Sequence, residues 1–175
     1  MNLNFHLARI VVFLIAFQSH LSVANSERIP GLFPTGVDED GIPLLDGQDD
    51  PHYEIILGPN DEPLADEAIA EDGFPIPPWI ANDDDSRWIG PVHPSGDGNA
   101  APGNLFFQTE FDMAGLDPTN AAVVGWWATD NSGVAILVNG ETISAASPGG
   151  FDAGSVRWFG FGSNTGVLNL SLIHI

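Results

Sequence analysis

The sequence has no cysteine and no lysine. Its four basic residues are all Arg, set against 24 Asp and Glu, which gives a net charge of −20 over 175 residues. Without thiols there is no disulfide framework and no Cys-ligated metal. With so few cations the chain is repelled by phosphate backbones, which excludes nucleic acid as a partner. Long apolar runs are also missing. The longest, residues 10–17 (IVVFLIAF), stops at Gln18-Ser19-His20, short of the ~18–20 apolar residues that a membrane-spanning helix needs. Catalytic signatures are absent as well. His52 and His93 stand far apart, and there is no His-x-His or HExxH spacing, no Gly-x-Ser-x-Gly elbow and no phosphate-cradling glycine loop. A glycosidase needs two carboxylates in a defined cleft, one with a raised pKa. Nothing in the sequence singles out such a pair among the 24 acids, so the expectation is a protein that is not an enzyme.

Apolar matter is plentiful. Leu, Ile, Val and Phe number 51, enough for the core of one ordinary domain and against global disorder. Residues 1–24 read as a secretory signal peptide: Arg9 supplies positive charge, the eight-residue run follows, and Ser22-Val23-Ala24 offers small residues before a cleavage site. The expected location is therefore extracellular or at the cell surface. The last six residues, Leu170-Ser171-Leu172-Ile173-His174-Ile175, resemble the translation of a transposon-end sequencing adapter, although an apolar last strand fits the same pattern. On the first reading they are left out of functional argument and the gene continues beyond Asn169.

Between the ends, residues 25–52 form an acidic, Gly/Pro-rich loop region, and residues 53–169 carry the pattern of a β-sandwich. Seventeen of the acids fall in residues 38–97. Prolines in Phe74-Pro75-Ile76-Pro77-Pro78-Trp79 make that piece cross a surface or run extended, because Pro lacks an amide donor. Residues 63–72 (PLADEAIAED) offer the one short helix, with a thin apolar face. From residue 104 the texture is strand-like. Phe107, Thr109, Phe111 and Met113 alternate with Gln108, Glu110 and Asp112, the period-two pattern of a half-buried strand. Residues 121–129 and 134–138 follow as strands, and Asn139-Gly140 predicts a type I′ hairpin turn into residues 141–144. Residues 156–161 are another strand, with a turn at Asn164-Thr165-Gly166. Short strands with turns between them and no convincing long helix predict an all-β, antiparallel sandwich.

These residues also carry a resemblance. Gly31-Leu32-Phe33 with Thr35-Gly36-Val37-Asp38, then Leu45-Asp46-Gly47 and Asp50-Pro51-His52-Tyr53, resembles the opening of a domain of secreted bacterial proteins, many of which end in a PEP-CTERM-type sorting segment. Phe74 to Trp79, Ser86-Arg87-Trp88-Ile89-Gly90-Pro91, Phe107 to Asp112, Trp127-Ala128-Thr129-Asp130-Asn131 and Gly133 to Gly140 continue it, over residues 31–169. The resemblance implies a galactose-binding-like jelly roll, an architecture that sugar-binding domains of glycoside hydrolases also use. That architecture hosts many roles, so it specifies fold better than function. Two departures stand out: Trp126 occupies a place where a polar or basic residue is expected, and the pattern's final strand and sorting segment do not occur in these 175 residues.

Two constellations could carry function. Asp38, Asp40, Asp46, Asp49 and Asp50 crowd a Gly-rich loop, and hard oxygen ligands on a flexible loop are what Ca²⁺ takes. The loop is not an EF-hand, since aligning Asp40-Gly41 on its fifth and sixth positions leaves Gly36 first and Gly47 last. A solvated acidic face explains the same residues. No cofactor is required, and a structural Ca²⁺ is the one candidate. The second constellation is aromatic. Trp79, Trp88, Trp126, Trp127 and Trp158 are many for a small domain, and an indole face stacks on the C–H face of a pyranose while Asp or Asn accepts from its hydroxyls. Neighbouring strand residues point to opposite faces, so Trp126 and Trp127 cannot both be core; Trp127 is the core candidate and Trp126 the ligand candidate. Trp88, Trp79, Asp130 and Asn131 complete the expected binding set, with Trp79 alternatively a plug at one end of the sandwich. The expected partner is an extracellular glycan or surface polymer. The alternatives are a structural matrix protein with bound calcium and an accessory domain of a larger secreted hydrolase.

Overall fold

The computed structural model describes residues 7–14, 29–58, 62–71, 77–91, 103–119, 121–143, 150–162 and 172–174. Among these there is no helix. Ten strands are present: β1 (Leu7–Leu14), β2 (Asp49–Leu57), β3 (Pro63–Glu71), β4 (Trp88–Gly90), β5 (Phe106–Glu110), β6 (Ala122–Asp130), β7 (Leu137–Val138), β8 (Glu141–Thr142), β9 (Arg157–Gly162) and β10 (Leu172–His174). All pair antiparallel, in the order β8-β7-β10-β5-β2-β3-β4-β1-β6-β9. The sheet curls on itself. Val138 of β7, Phe107 of β5, Ile55 of β2, Trp127 of β6 and Phe159 of β9 sit in one buried cluster although their strands lie far apart in that order. Two layers therefore face each other across a shared apolar core, and the chain is an all-β antiparallel sandwich. No helix among the described residues is long and apolar enough to cross a membrane.

Alternation places the side chains. In and just beyond β5, Phe107, Thr109 and Phe111 are buried while Glu110 and Asp112 face solvent, as the period-two pattern predicts. In β9, Phe159 and Phe161 enter the core and leave Trp158 outside. The hairpin turn forms as expected, with Asn139 at φ 53° and Gly140 at φ 80°, the signs a type I′ turn demands. The strand before it is shorter than residues 134–138: only Leu137 and Val138 pair, and Val134 is exposed.

Two expectations are corrected. In place of the helix expected over residues 63–72, Pro63–Glu71 form β3, between β2 and β4, with Ala68 and Ala70 fully buried; Asp72 lies outside the described residues. A ten-residue helix with a thin apolar face is marginal alone, whereas the strand pairs with β2 along its length and with β4 at Ile69–Glu71, and Ala68 is small enough to lie in the core. The other correction is at the start of β2. Asp49 to His52 already belong to the strand rather than to the preceding loop.

That loop is tied down along its length. Asp112 N donates to Pro30 O (2.8 Å), Arg87 N to Thr35 O (2.9 Å), Gly47 N to Ala70 O (2.9 Å) and Ala70 N to Gln48 O (2.8 Å). Ile29, Leu32, Val37 and Leu44 are buried beneath it. Residues 74–76, His93, Ser144 and the turn at 164–166 lie outside the described residues.

Candidate functional site

β6 carries the site. Its register against β9 sets Trp127 opposite Arg157, Trp126 opposite Trp158, Val124 opposite Gly160 and Ala122 opposite Gly162. Directly opposed residues share a face with Cβ atoms about 4.5–5.5 Å apart. Trp127 and Phe159 point into the main core, Trp127 at 1% exposure. Trp126 and Trp158 therefore stand together on the other face, half-buried and 63% exposed respectively. Beside them Gly160 adds no side chain, so the surface next to the Trp158 ring stays low. The result is a two-indole platform backed by a rigid strand pair.

The same face is roofed farther along β6. Ala128 lies under Trp88, with Trp79, Ile80, Phe151 and Val156 packed around it. Trp88 is fully buried, and its indole Nε1–H donates to Ile80 O (2.8 Å) while its backbone N–H donates to Asn82 Oδ1 (2.9 Å). Its ring is core, with no face open to a ligand. Trp79 is half-buried and stacks on Phe151 with centroids 4.7 Å apart. Asp130 and Asn131 sit at the far end of β6, about 13 Å along the strand from Trp126 at ~3.3 Å per residue. Asp130 is 5% exposed and burial pushes its carboxyl up to about 6; Asn131 is exposed, and the peptide bond between the two is cis. The structure thus separates the expected set into an outward residue (Trp126), a core residue (Trp88), a residue packed on Phe151 (Trp79) and a distant polar pair. Trp158, which lies outside the expected binding set, faces out because Phe159 and Phe161 of the same strand face inward.

The acidic loop is organised by hydrogen bonds to backbone. Asp38 Oδ1 accepts from Asp40 N (2.9 Å) and Ile42 N (2.8 Å), closing a tight turn, and Asp83 Oδ1 does the same for Asp85 N and Ser86 N (both 3.0 Å). Asp40, Asp46 and Asp49 are exposed. Asp50 differs: it is 2% exposed, and its two carboxyl oxygens accept from Gly36 N (2.6 Å) and His52 N (2.8 Å). Burial pushes it up to about 7, against the opposing pull of those amides. Tyr53, alongside, is buried, donates to Phe33 O (2.9 Å), and is raised by burial first and by the Asp50 charge second. The His52 ring stacks on Phe33 at 3.8 Å, and its Nε2 is buried without a hydrogen-bond partner among the described residues. Asp50 is thus a clasp between loop and strand. Among the described residues no group of three or more His, Asp or Glu converges to hold a metal ion. No family model, curated protein or solved structure matches the chain.

Proposed function

We propose that the chain is an exported, non-catalytic β-sandwich module that binds a neutral glycan through the outer face of β6 and β9. The observation that carries this is the Trp126–Trp158 pair, two indoles held side by side on the face turned away from the core. Exposed Trp is costly to leave in water unless it serves a contact, and its flat apolar face with a polar edge suits a sugar ring. Charge narrows the partner. A surface this acidic repels uronate-rich or sulfated polymers, which leaves uncharged or aminated polysaccharides. The apolar leader at residues 1–24 supports export, and the galactose-binding-like resemblance agrees with a sugar-binding sandwich.

Affinity electrophoresis through gels containing neutral polysaccharides tests the reading. Wild-type protein is expected to be retarded on at least one of them, with Trp126→Ala and Trp158→Ala each weakening retardation tenfold or more. Wild-type mobility unchanged on every neutral and aminated polysaccharide would sink it.

A further inference from the structure

Among the described residues, β1 alone joins the β6–β9 pair to the rest of the sheet. It runs antiparallel to β6 through eight register pairs, from Leu7↔Asp130 to Leu14↔Val123, and meets β4 at Ala8↔Ile89. Its sequence is LARIVVFL, which lies within the segment expected to be cut away as the leader. Cleavage after Ala24 would take a strand out of the middle of the sheet. It would leave a gap one strand wide where β4 faces β6, its walls about 9.5 Å apart at twice the usual strand spacing; β6 runs the whole length of the slot, and β4 walls it at the Ala8 end. One wall is β4, whose Trp88 and Ile89 are fully buried; the other is β6, buried at Val123, Trp127 and Ala128. Both walls would then present unpaired backbone N–H and C=O groups, a template for strand addition.

We infer that the gap between β4 and β6 is a strand-acceptor site, which after leader removal takes one extended, largely apolar peptide segment of about eight residues that carries no acid, antiparallel to β6. The timing rests on the export reading; the site itself rests on the register. Its geometry specifies the occupant. β6 has Trp127 in the main core on one face; on the other, Ala128 lies under Trp88 while Trp126 is only half-buried, so a neighbouring strand is covered on its inner face and roofed on its outer face only beside Ala128. It must be apolar at the alternate positions in register with Trp127, Gly125 and Val123, which in β1 are Ile10, Val12 and Leu14, whereas the position in register with Ala128 is Arg9. A second copy's β6 does not fit, because it arrives with its own sheet attached and the gap is walled on both sides. An acidic segment is disfavoured by a body carrying all of the chain's 24 acids.

The test uses the full chain with a specific-protease sequence replacing residues 20–25, cut after folding. The probe is a fluorescent synthetic peptide of residues 7–14 with a two-arginine tail for solubility; the control carries Ile10→Pro and Val12→Pro, which remove ladder donors. The cut leader is expected to co-elute with the body at 1:1 and to exchange for the probe in urea below the unfolding midpoint, with at least tenfold preference over the control. Aggregation after leader loss that the probe prevents and the control does not is the same result. The inference is overturned if the leader departs and the body keeps its melting temperature and Trp fluorescence while taking up neither peptide. Equal uptake of both peptides, no exchange in urea, or aggregation that the probe does not prevent overturns it too. The mass of the protein released by a secreting host checks cleavage after Ala24 independently, and polysaccharide retardation of the uncut chain checks the glycan reading.

Discussion

Asp50 shows how one side chain can set a pH response. Its carboxyl sits at about 7 in the fold against 3.8 when free, because burial disfavours the charge more than the amides of Gly36 and His52 favour it. The folded protein therefore holds a proton that the unfolded chain has released between about pH 4 and pH 7. Stability falls as pH rises through that window, by up to about 4 kcal/mol at 1.36 kcal/mol per unit, and is greatest below it. Asp130, at about 6, acts in the same direction with a smaller span. Asp50→Asn is expected to flatten the melting-temperature profile between pH 4 and 7, leaving the slope that Asp130 contributes. It also lowers stability by ~1–3 kcal/mol at pH 4, since an amide NH₂ replaces an acceptor facing a backbone N–H. Thermal melts of both proteins in 0.5 M NaCl check this; parallel profiles would show that Asp50 does not titrate across the window.

At the scale of elements, what was legible followed from periodicity. Alternation in residues 105–113 fixed which face of β5 enters the core, and the adjacent pair Trp126-Trp127 could only be split across the two faces of β6. The same rule separates the tryptophans energetically. Trp127→Ala is expected to cost about 3–5 kcal/mol as a core truncation, whereas Trp158→Ala should stay within ~0.5 kcal/mol of wild type, as exposed positions do. Urea unfolding followed by circular dichroism measures both; a Trp158→Ala loss as large as that of Trp127→Ala would place its ring in the core instead. What was not legible depended on partners distant in sequence. Helix-forming Ala, Glu and Leu in residues 63–71 gave no hint that β2 and β4 would pair on either side. Asp50, one acid in a run of acids, became a buried clasp only because Gly36 lies fourteen residues away in the chain and beside it in space. The fate of Trp88 was hidden in the same way, since it depends on the loop that brings Ile80 and Phe151 over it.

At the scale of the whole molecule, charge is nearly all of one sign and mostly outside. Glu39, Asp40, Asp46, Asp49, Glu54, Asp83, Asp84, Asp85, Glu110, Asp112, Asp117 and Glu141 are exposed, with only Arg87 and Arg157 as described cations outside β1. The compact state therefore works against its own repulsion. Screening relieves it: the Debye length falls from about 30 Å at 0.01 M to about 10 Å at 0.1 M salt. Raising NaCl from 0.01 to 0.5 M at pH 7 is expected to raise the melting temperature by several degrees, at about 2–4 °C per kcal/mol for a chain of this size. KCl at equal ionic strength should act identically. Calcium discriminates between the two readings of the acidic loop. If Asp38, Asp40, Asp46, Asp49 and Asp50 are a solvated face and a set of turn caps, 1 mM CaCl₂ adds no more than 1 mM MgCl₂ does in 0.1 M NaCl. A calcium-specific rise under those conditions would instead require a site that tightens around the ion, because nonspecific screening treats the two divalent cations alike. Both the salt response and the Asp50 titration stabilise the protein as its negative charge is reduced, so the pH profile must be measured at high salt for the single carboxyl to be seen apart from the field of the rest.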